Sequence, residues 1–232
     1  MTEVFLSPKV NLDADQVLRG QGIDPLALAG RHSNMVRIAG LAAEQAQVLI
    51  QPQVVVARFA VQGWTHQCLT LQGGATLSGE LISSALAGTE SVALGIVTLG
   101  SALEEAVRAQ FATDPALALA LDGAGNAAVN QIYDWILHEL EQQALQAGLQ
   151  TTLPISPGDE GWSVASGQTE IFNALQPDPA IVRLRPSALM LPIKSTSFVL
   201  GFGHVLADQK ESRCERCSMR ESCKFRCLEE AL

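Results

Sequence analysis

Apolar residues recur at helical spacing in two long stretches of the chain. Over residues 34–50 (NMVRIAGLAAEQAQVLI) they form one amphipathic face, with Ser33 in the N-cap position and Pro52 as the stop. Over 116–147, Leu117, Leu121, Ala124, Ala128, Ile132, Trp135 and Leu140 follow one another at intervals of three to five. That period predicts one long helix, restarted at Pro115 and ended by Gly148. Gly123 and Gly125 fall in its first third. Each costs roughly 1 kcal/mol in a helix interior, which predicts that another backbone approaches closely there. Shorter helices are expected over 12–22, stopped by Gly20 and Gly22, over 101–114, and over 168–175. Another is expected to open at Ser78, run through GELISSALA and close at Gly88.

Between these lie runs rich in Val, Ile and Phe. Residues 53–62 (QVVVARFAVQ) predict a strand, with a second over 66–72 after a turn containing Gly63. The apolar run 91–100 (SVALGIVTLG) predicts a buried strand. Residues 180–184 and 193–203 predict two more, joined through Arg185 to Pro192. The Pro-, Gly- and Ser-rich stretch 151–167 predicts an irregular loop. Gly73 and Gly74 predict a turn and not a phosphate loop, because the Lys-Ser/Thr of that motif is missing. Strands and helices alternate without a regular βαβ repeat, so the expected class is α+β.

Composition narrows the classes of function. Of 232 residues, 47% are hydrophobic but only 5% aromatic, so Ala, Leu and Val must fill the core. A net charge of −9 excludes a general nucleic-acid binder, which needs a Lys/Arg surface for phosphates. The opening MTEVFLSPKVNLDADQ has no basic segment followed by a long apolar one. No run reaches the ~18 apolar residues that span a bilayer. A soluble cytoplasmic protein with no membrane partner is therefore expected, and there clustered cysteines serve as ligands or redox centres more often than as disulfides.

Four of the five cysteines do cluster: Cys214, Cys217, Cys223 and Cys227 form C-x2-C-x5-C-x3-C within the last nineteen residues. A C-x2-C turn presents two thiolates to one metal centre, and the following gaps bring two more without a large fold. Lys210, Arg213, Arg216, Arg220, Lys224 and Arg226 surround them and would offset the charge of a thiolate-ligated cluster. A 4Fe–4S cluster is the leading expectation, structural zinc the alternative, and disulfides or free thiols remain open. Whether Cys227, or Cys68 from the body of the chain, is the fourth ligand also stays open. The expected division is a domain over 1–207 and a Cys-rich metal-binding tail over 208–232.

Five segments, taken in order, resemble the activation (reactivation) domain of cobalamin-dependent methionine synthase and its stand-alone relatives. They are VLRGQGI (17–23), VTLG (97–100), ALDGAGNAAVNQIYDWI (120–136), ISPGDEGWSVASGQTEIFNAL (155–175) and LRPSALMLPIKSTSFVLGFG (184–203). The resemblance spans roughly residues 12–205. It implies a curved α+β domain around a twisted antiparallel sheet with flanking helices. It also implies an activity: S-adenosylmethionine is bound, and its methyl group is presented to cob(II)alamin on a partner while an electron is supplied. The tail spacing separately resembles auxiliary 4Fe–4S cluster motifs of radical S-adenosylmethionine enzymes.

The departures from the family pattern are specific. Its Arg-x-x-Pro-Gly-Tyr loop holds S-adenosylmethionine; here Pro157 and Gly158 remain, but Pro154 stands at the Arg position and Asp159 at the Tyr position. An acidic residue on the long helix, eight positions after Asp122, is Asn130. An Arg offers a forked donor set to a carboxylate, whereas a proline offers none. The resemblance thus implies a degenerate S-adenosylmethionine-like pocket lined by Asn130, Pro157, Gly158 and Asp159.

The remaining candidates read as ordinary residues. His32, His66, His138 and His204 share no ligand spacing. Asp159 and Glu160 read as a solvated loop, Trp162 as packing or as a stacking surface, and Arg183 and Arg185 as facing an anion or water. Lys194 and Ser195 are expected to fix the last strand pair. The functional expectation is an accessory protein of corrinoid (vitamin B12)-dependent methyl transfer. It would dock a corrinoid protein or cobalamin-dependent methyltransferase and pass an electron from a donor through the tail cluster. The alternative is a non-catalytic docking module with a zinc tail.

Overall fold

The computed structural model describes residues 3–6, 8–28 and 33–206. The chain begins with strand β1 (Glu3–Leu6), helix α1 (Ala14–Gly20), a 3-10 turn at Pro25–Leu28 and helix α2 (Ser33–Leu49). Next come β2 (Gln53–Thr65), β3 (Cys68–Leu71), β4 (Thr76–Ser78), α3 (Glu80–Ala85) and β5 (Ser91–Thr98). Helices α4 (Ala102–Gln110) and α5 (Pro115–Gln146) follow. The last elements are β6 (Gln150–Thr151), α6 (Val164–Leu175), β7 (Arg183–Leu184), β8 (Met190–Leu191) and β9 (Ser195–Gly203).

One antiparallel sheet organises these elements, in the order β4-β3-β2-β5-β9-β6. Strand β2 is long enough to serve two partners on its far edge. Gln53–Val56 pair with β1, and the part from Val61 onward pairs with β3. Strands β7 and β8 form a separate ribbon. Alternate side chains leave opposite faces of a strand. Val54, Val56, Ala93, Val97, Phe198, Leu200 and Phe202 therefore enter one core with α1, α2 and α5. Val55, Ala57, Val92, Leu94, Ile96 and Val199 enter a second core with α3, α6 and Trp162. Burial on both faces explains why β5 carries no polar side chain from Val92 to Val97. The fold is the expected α+β class: an antiparallel sheet between flanking helices. No helix among the described residues is long and apolar enough to cross a membrane.

The long helix falls where its periodicity puts it. Asp114 caps it by accepting from the Leu117 N–H at 3.1 Å, Pro115 occupies the first turn, and Gly148 leaves it at φ +71°. Four other expectations need correction. Gly63 does not make the turn after the first strand: β2 runs on through a bulge between Val61 and Gly63, and the chain reverses at His66, at φ 49°. Ser78 ends β4 and does not cap a helix; α3 starts after Gly79. Helix α6 begins at Val164, four residues before the expected start at 168. The stretch from Arg185 to Pro192 is not a plain connection, because Met190 and Leu191 pair back onto Leu184 and Arg183.

Candidate functional site

Four of the five segments singled out in the sequence meet at the end of the sheet where β5 finishes and β9 starts. Lys194 is the hub. Its stem lies against α5 at Gly125, where an added Cβ would stand 3.1 Å from Lys194 Cε and 2.9 Å from Leu103 Cδ2. Its ammonium donates to Asp122 Oδ1 at 2.8 Å and to Asn126 Oδ1 at 2.7 Å. Asn126 in turn donates through Nδ2 to the carbonyl of Gly20 at 3.0 Å, tying in the end of α1. The Lys194 carbonyl accepts from the Leu99 N–H at 3.1 Å. Glu104 of α4 accepts from the backbone N–H groups of Ile193 and Lys194 through one oxygen. Lys194 is 13% exposed and Asp122 46%, so the pair is partly withdrawn from water. Lys194 thus joins the sheet to α5 and, through Asn126, to α1. The neighbouring Ser195 fixes the strand end, bonding Thr98 Oγ1 at 2.8 Å and the Pro192 carbonyl at 2.7 Å.

The loop 154–162 lies in the other layer, bracketed by Ile155 and Trp162 of the second core. Five of its backbone N–H groups donate within the protein. Ile155 N–H goes to the Val199 carbonyl, Gly158 N–H to Trp162, Asp159 N–H to Ser156 and Trp162 N–H to Asp159. The Asp159 carboxylate accepts from the Ser156 N–H at 2.8 Å, so it closes the turn. Pro154 is buried, while Gly158, Asp159 and Glu160 are exposed. Trp162 is 2% exposed and its Nε1–H points to Glu170 at 3.4 Å, which makes it a packing residue. Glu170 also binds the Ser78 N–H and hydroxyl, tying α6 to β4.

Asn130 is exposed on α5, in the layer built around the first core. Of the four residues expected to line a pocket, Pro157, Gly158 and Asp159 thus share one turn, and Asn130 stands on a helix across the sheet from them. Cys68 opens β3 as a free, part-exposed thiol opposite Thr65 and Ser78. Among the described residues no group of three His, Cys, Asp or Glu is placed to hold a metal ion. Cys214, Cys217, Cys223 and Cys227 lie outside the described residues. Asn126 and Glu104 were not legible in the sequence: they act on Lys194 from 68 and 90 positions away, and no local pattern links them.

No protein-family model matches the chain, and no curated protein matches it in sequence. Among solved structures it is similar to the crystal structure of the MetH reactivation domain bound to AdoHcy. The TM-score is 0.56 at 13% sequence identity, over 90% of this chain and 80% of that one. At that identity the likeness is one of fold.

Proposed function

We propose that this chain is an accessory protein of corrinoid-dependent methyl transfer that supports reductive reactivation of cob(II)alamin carried by a partner. The observation that carries this reading is the likeness, over 90% of the chain, to a reactivation domain crystallised with AdoHcy. The sequence segments that resemble the same kind of domain support it, since four of them converge on Lys194.

The electron side of the task fits the donor set of the tail. Cys214, Cys217, Cys223 and Cys227 offer four thiolates at cluster spacing, flanked by six cations. These four cysteines would hold a 4Fe–4S centre, which would supply low-potential one-electron chemistry to a corrinoid-bearing partner. The methyl-donor side fits less well. Pro154 and Asp159 replace the Arg and Tyr of the family loop, and the N–H groups of Ile155, Ser156, Gly158, Asp159 and Trp162 are all taken within the protein. We assign no methyl-transfer step to this loop.

Anaerobic purification followed by iron, sulfide and zinc analysis tests the reading. Iron and acid-labile sulfide in equal amounts, with chemical reduction of the centre followed by reduction of added cob(II)alamin protein, are expected. A colourless preparation with stoichiometric zinc would overturn electron delivery and favour a docking module with a structural tail. In calorimetry, S-adenosylmethionine is expected to give only heat of dilution. A saturable signal would return the methyl-donor step to this chain.

A further inference from the structure

Helix α2 buries one stripe of alanines. Ala39, Ala42, Ala43 and Ala46 enter the first core. On the outer side Val36, Gly40, Glu44 and Val48 follow one another at spacing four, so they form one ridge of the helix. Arg37 and Leu41 stand beside that ridge. Val36, Leu41 and Val48 are all exposed, Val48 at 86%. A helix that packs on a core by one stripe ordinarily carries polar residues on its far side; α2 carries three branched apolar side chains there.

Gly40 is a second irregularity on the same face. A glycine in a helix interior costs about 1 kcal/mol. At Gly20 and Gly123 the backbones of α1 and α5 approach one another, and a Cβ at either position would collide with the other helix. At Gly40 no atom of the described residues lies within 4 Å of a Cβ built there. The residue type that lets two helices meet inside the fold thus recurs on a face that no described residue covers.

We propose that the outer face of α2 docks a second copy of this chain, as an antiparallel pair of α2 helices about a two-fold axis. Charge selects this occupant. The chain carries a net −9, which repels a second copy over most of its surface. From Asn34 to Leu49, however, the charged residues are one Arg and one Glu, Arg37 and Glu44, so this face is neutral. They lie symmetrically about the point between Gly40 and Leu41. A two-fold axis there sets Arg37 of each copy against Glu44 of the other, and Leu41 of each copy over the space left at Gly40 of the other. That self-complementarity is what an isologous contact requires, and a glycine at its centre lets the backbones come close. Arg37 already donates Nη2–H to Asn34 Oδ1 at 2.9 Å, which orders its guanidinium in advance. Loop 154–162 belongs to the second core, on the opposite face of the sheet, so the pairing leaves it uncovered in both copies.

Sedimentation equilibrium of the full chain, under reducing conditions so that no cysteine bridge contributes, tests this. Two helix faces of this length bury less than the ~1,200 Å² of a standard interface, so a weak dimer is expected, with Kd on the order of 100 μM. Arg37→Glu and Glu44→Arg each bring like charges together twice, and each should weaken association about tenfold or more. An equimolar mixture of these two variants restores both attractive pairs and should associate about as tightly as the wild type, which also shows that both chains are folded. Gly40→Ala should weaken association about fivefold or more, the low end for an overpacked contact. A monomer at every concentration up to about 1 mM would overturn the proposal and leave this face to a different protein. So would a dimer that Leu41→Asp leaves unchanged, or charge variants that fail to associate when mixed.

Discussion

Gly20→Ala is expected to destabilise the protein by about 3 kcal/mol or more. The reason is local and steric. A Cβ at position 20 would stand 2.8 Å from the Gly123 carbonyl carbon, closer still to its oxygen, and 3.2 Å from the Ala127 nitrogen. All three are backbone atoms of α5, so no side-chain rotation can make room. The approach is mutual: a Cβ at Gly123 would meet Gln21 Cγ and stand 3.0 Å from the Val17 carbonyl oxygen. The helices must separate, and separation loosens the packing of Val17 and Leu18, which are 0% and 1% exposed. Gly40 of α2 provides the internal control, because nothing lies within 4 Å of a Cβ built there. Gly40→Ala should therefore gain up to about 1 kcal/mol from helix propensity alone. Urea unfolding of the two variants should move in opposite directions; a shared direction would mean that the α1–α5 contact is not what positions these glycines.

The same contact marks where the sequence was legible. A glycine that breaks helix propensity in a strongly periodic stretch needs a reason, and at Gly123 the reason is the backbone of α1. At Gly125 the inference was only half right: its neighbours are the Lys194 stem and the Leu103 side chain. Strand β5 and helix α5 could be read because burial on two faces, or along one stripe, writes a long pattern. Strands β1, β4, β6 and β8 could not, since they are two to four residues long and owe their pairing to distant partners. Gly63 misled because a turn and a bulge draw on the same residue type, and the ladder to β3 chose the bulge. At the candidate site, Lys194 and Ser195 stood out as a motif. Lys194 was expected to fix a strand pair, but its ammonium reaches α5, and Ser195 holds the strand end.

Lys194→Met should cost about 1.5–3 kcal/mol, the range for hydrogen bonds to a charged group. Methionine keeps an unbranched stem over Gly125 and Leu103, so packing is preserved and the variant isolates the ammonium. Two acceptors lose their donor: Asp122 Oδ1 at 2.8 Å and Asn126 Oδ1 at 2.7 Å. Asp122 is 46% exposed and can rehydrate, which keeps the cost below that of stranding a fully buried charge. Glu104 still holds the N–H groups of Ile193 and Lys194, so β9 keeps its register. The loss is thereby confined to the junction of α1, α5 and β9. Adding Asp122→Asn should cost less in the Lys194→Met background than in the wild type, by at least about 0.5 kcal/mol, because the two share one interaction. Strict additivity, or a single-variant cost under about 0.5 kcal/mol, would mean that the meeting of the four segments at this ammonium is incidental to stability. A measured coupling would make Lys194 the residue through which the end of the sheet, α5 and the end of α1 hold one another in place.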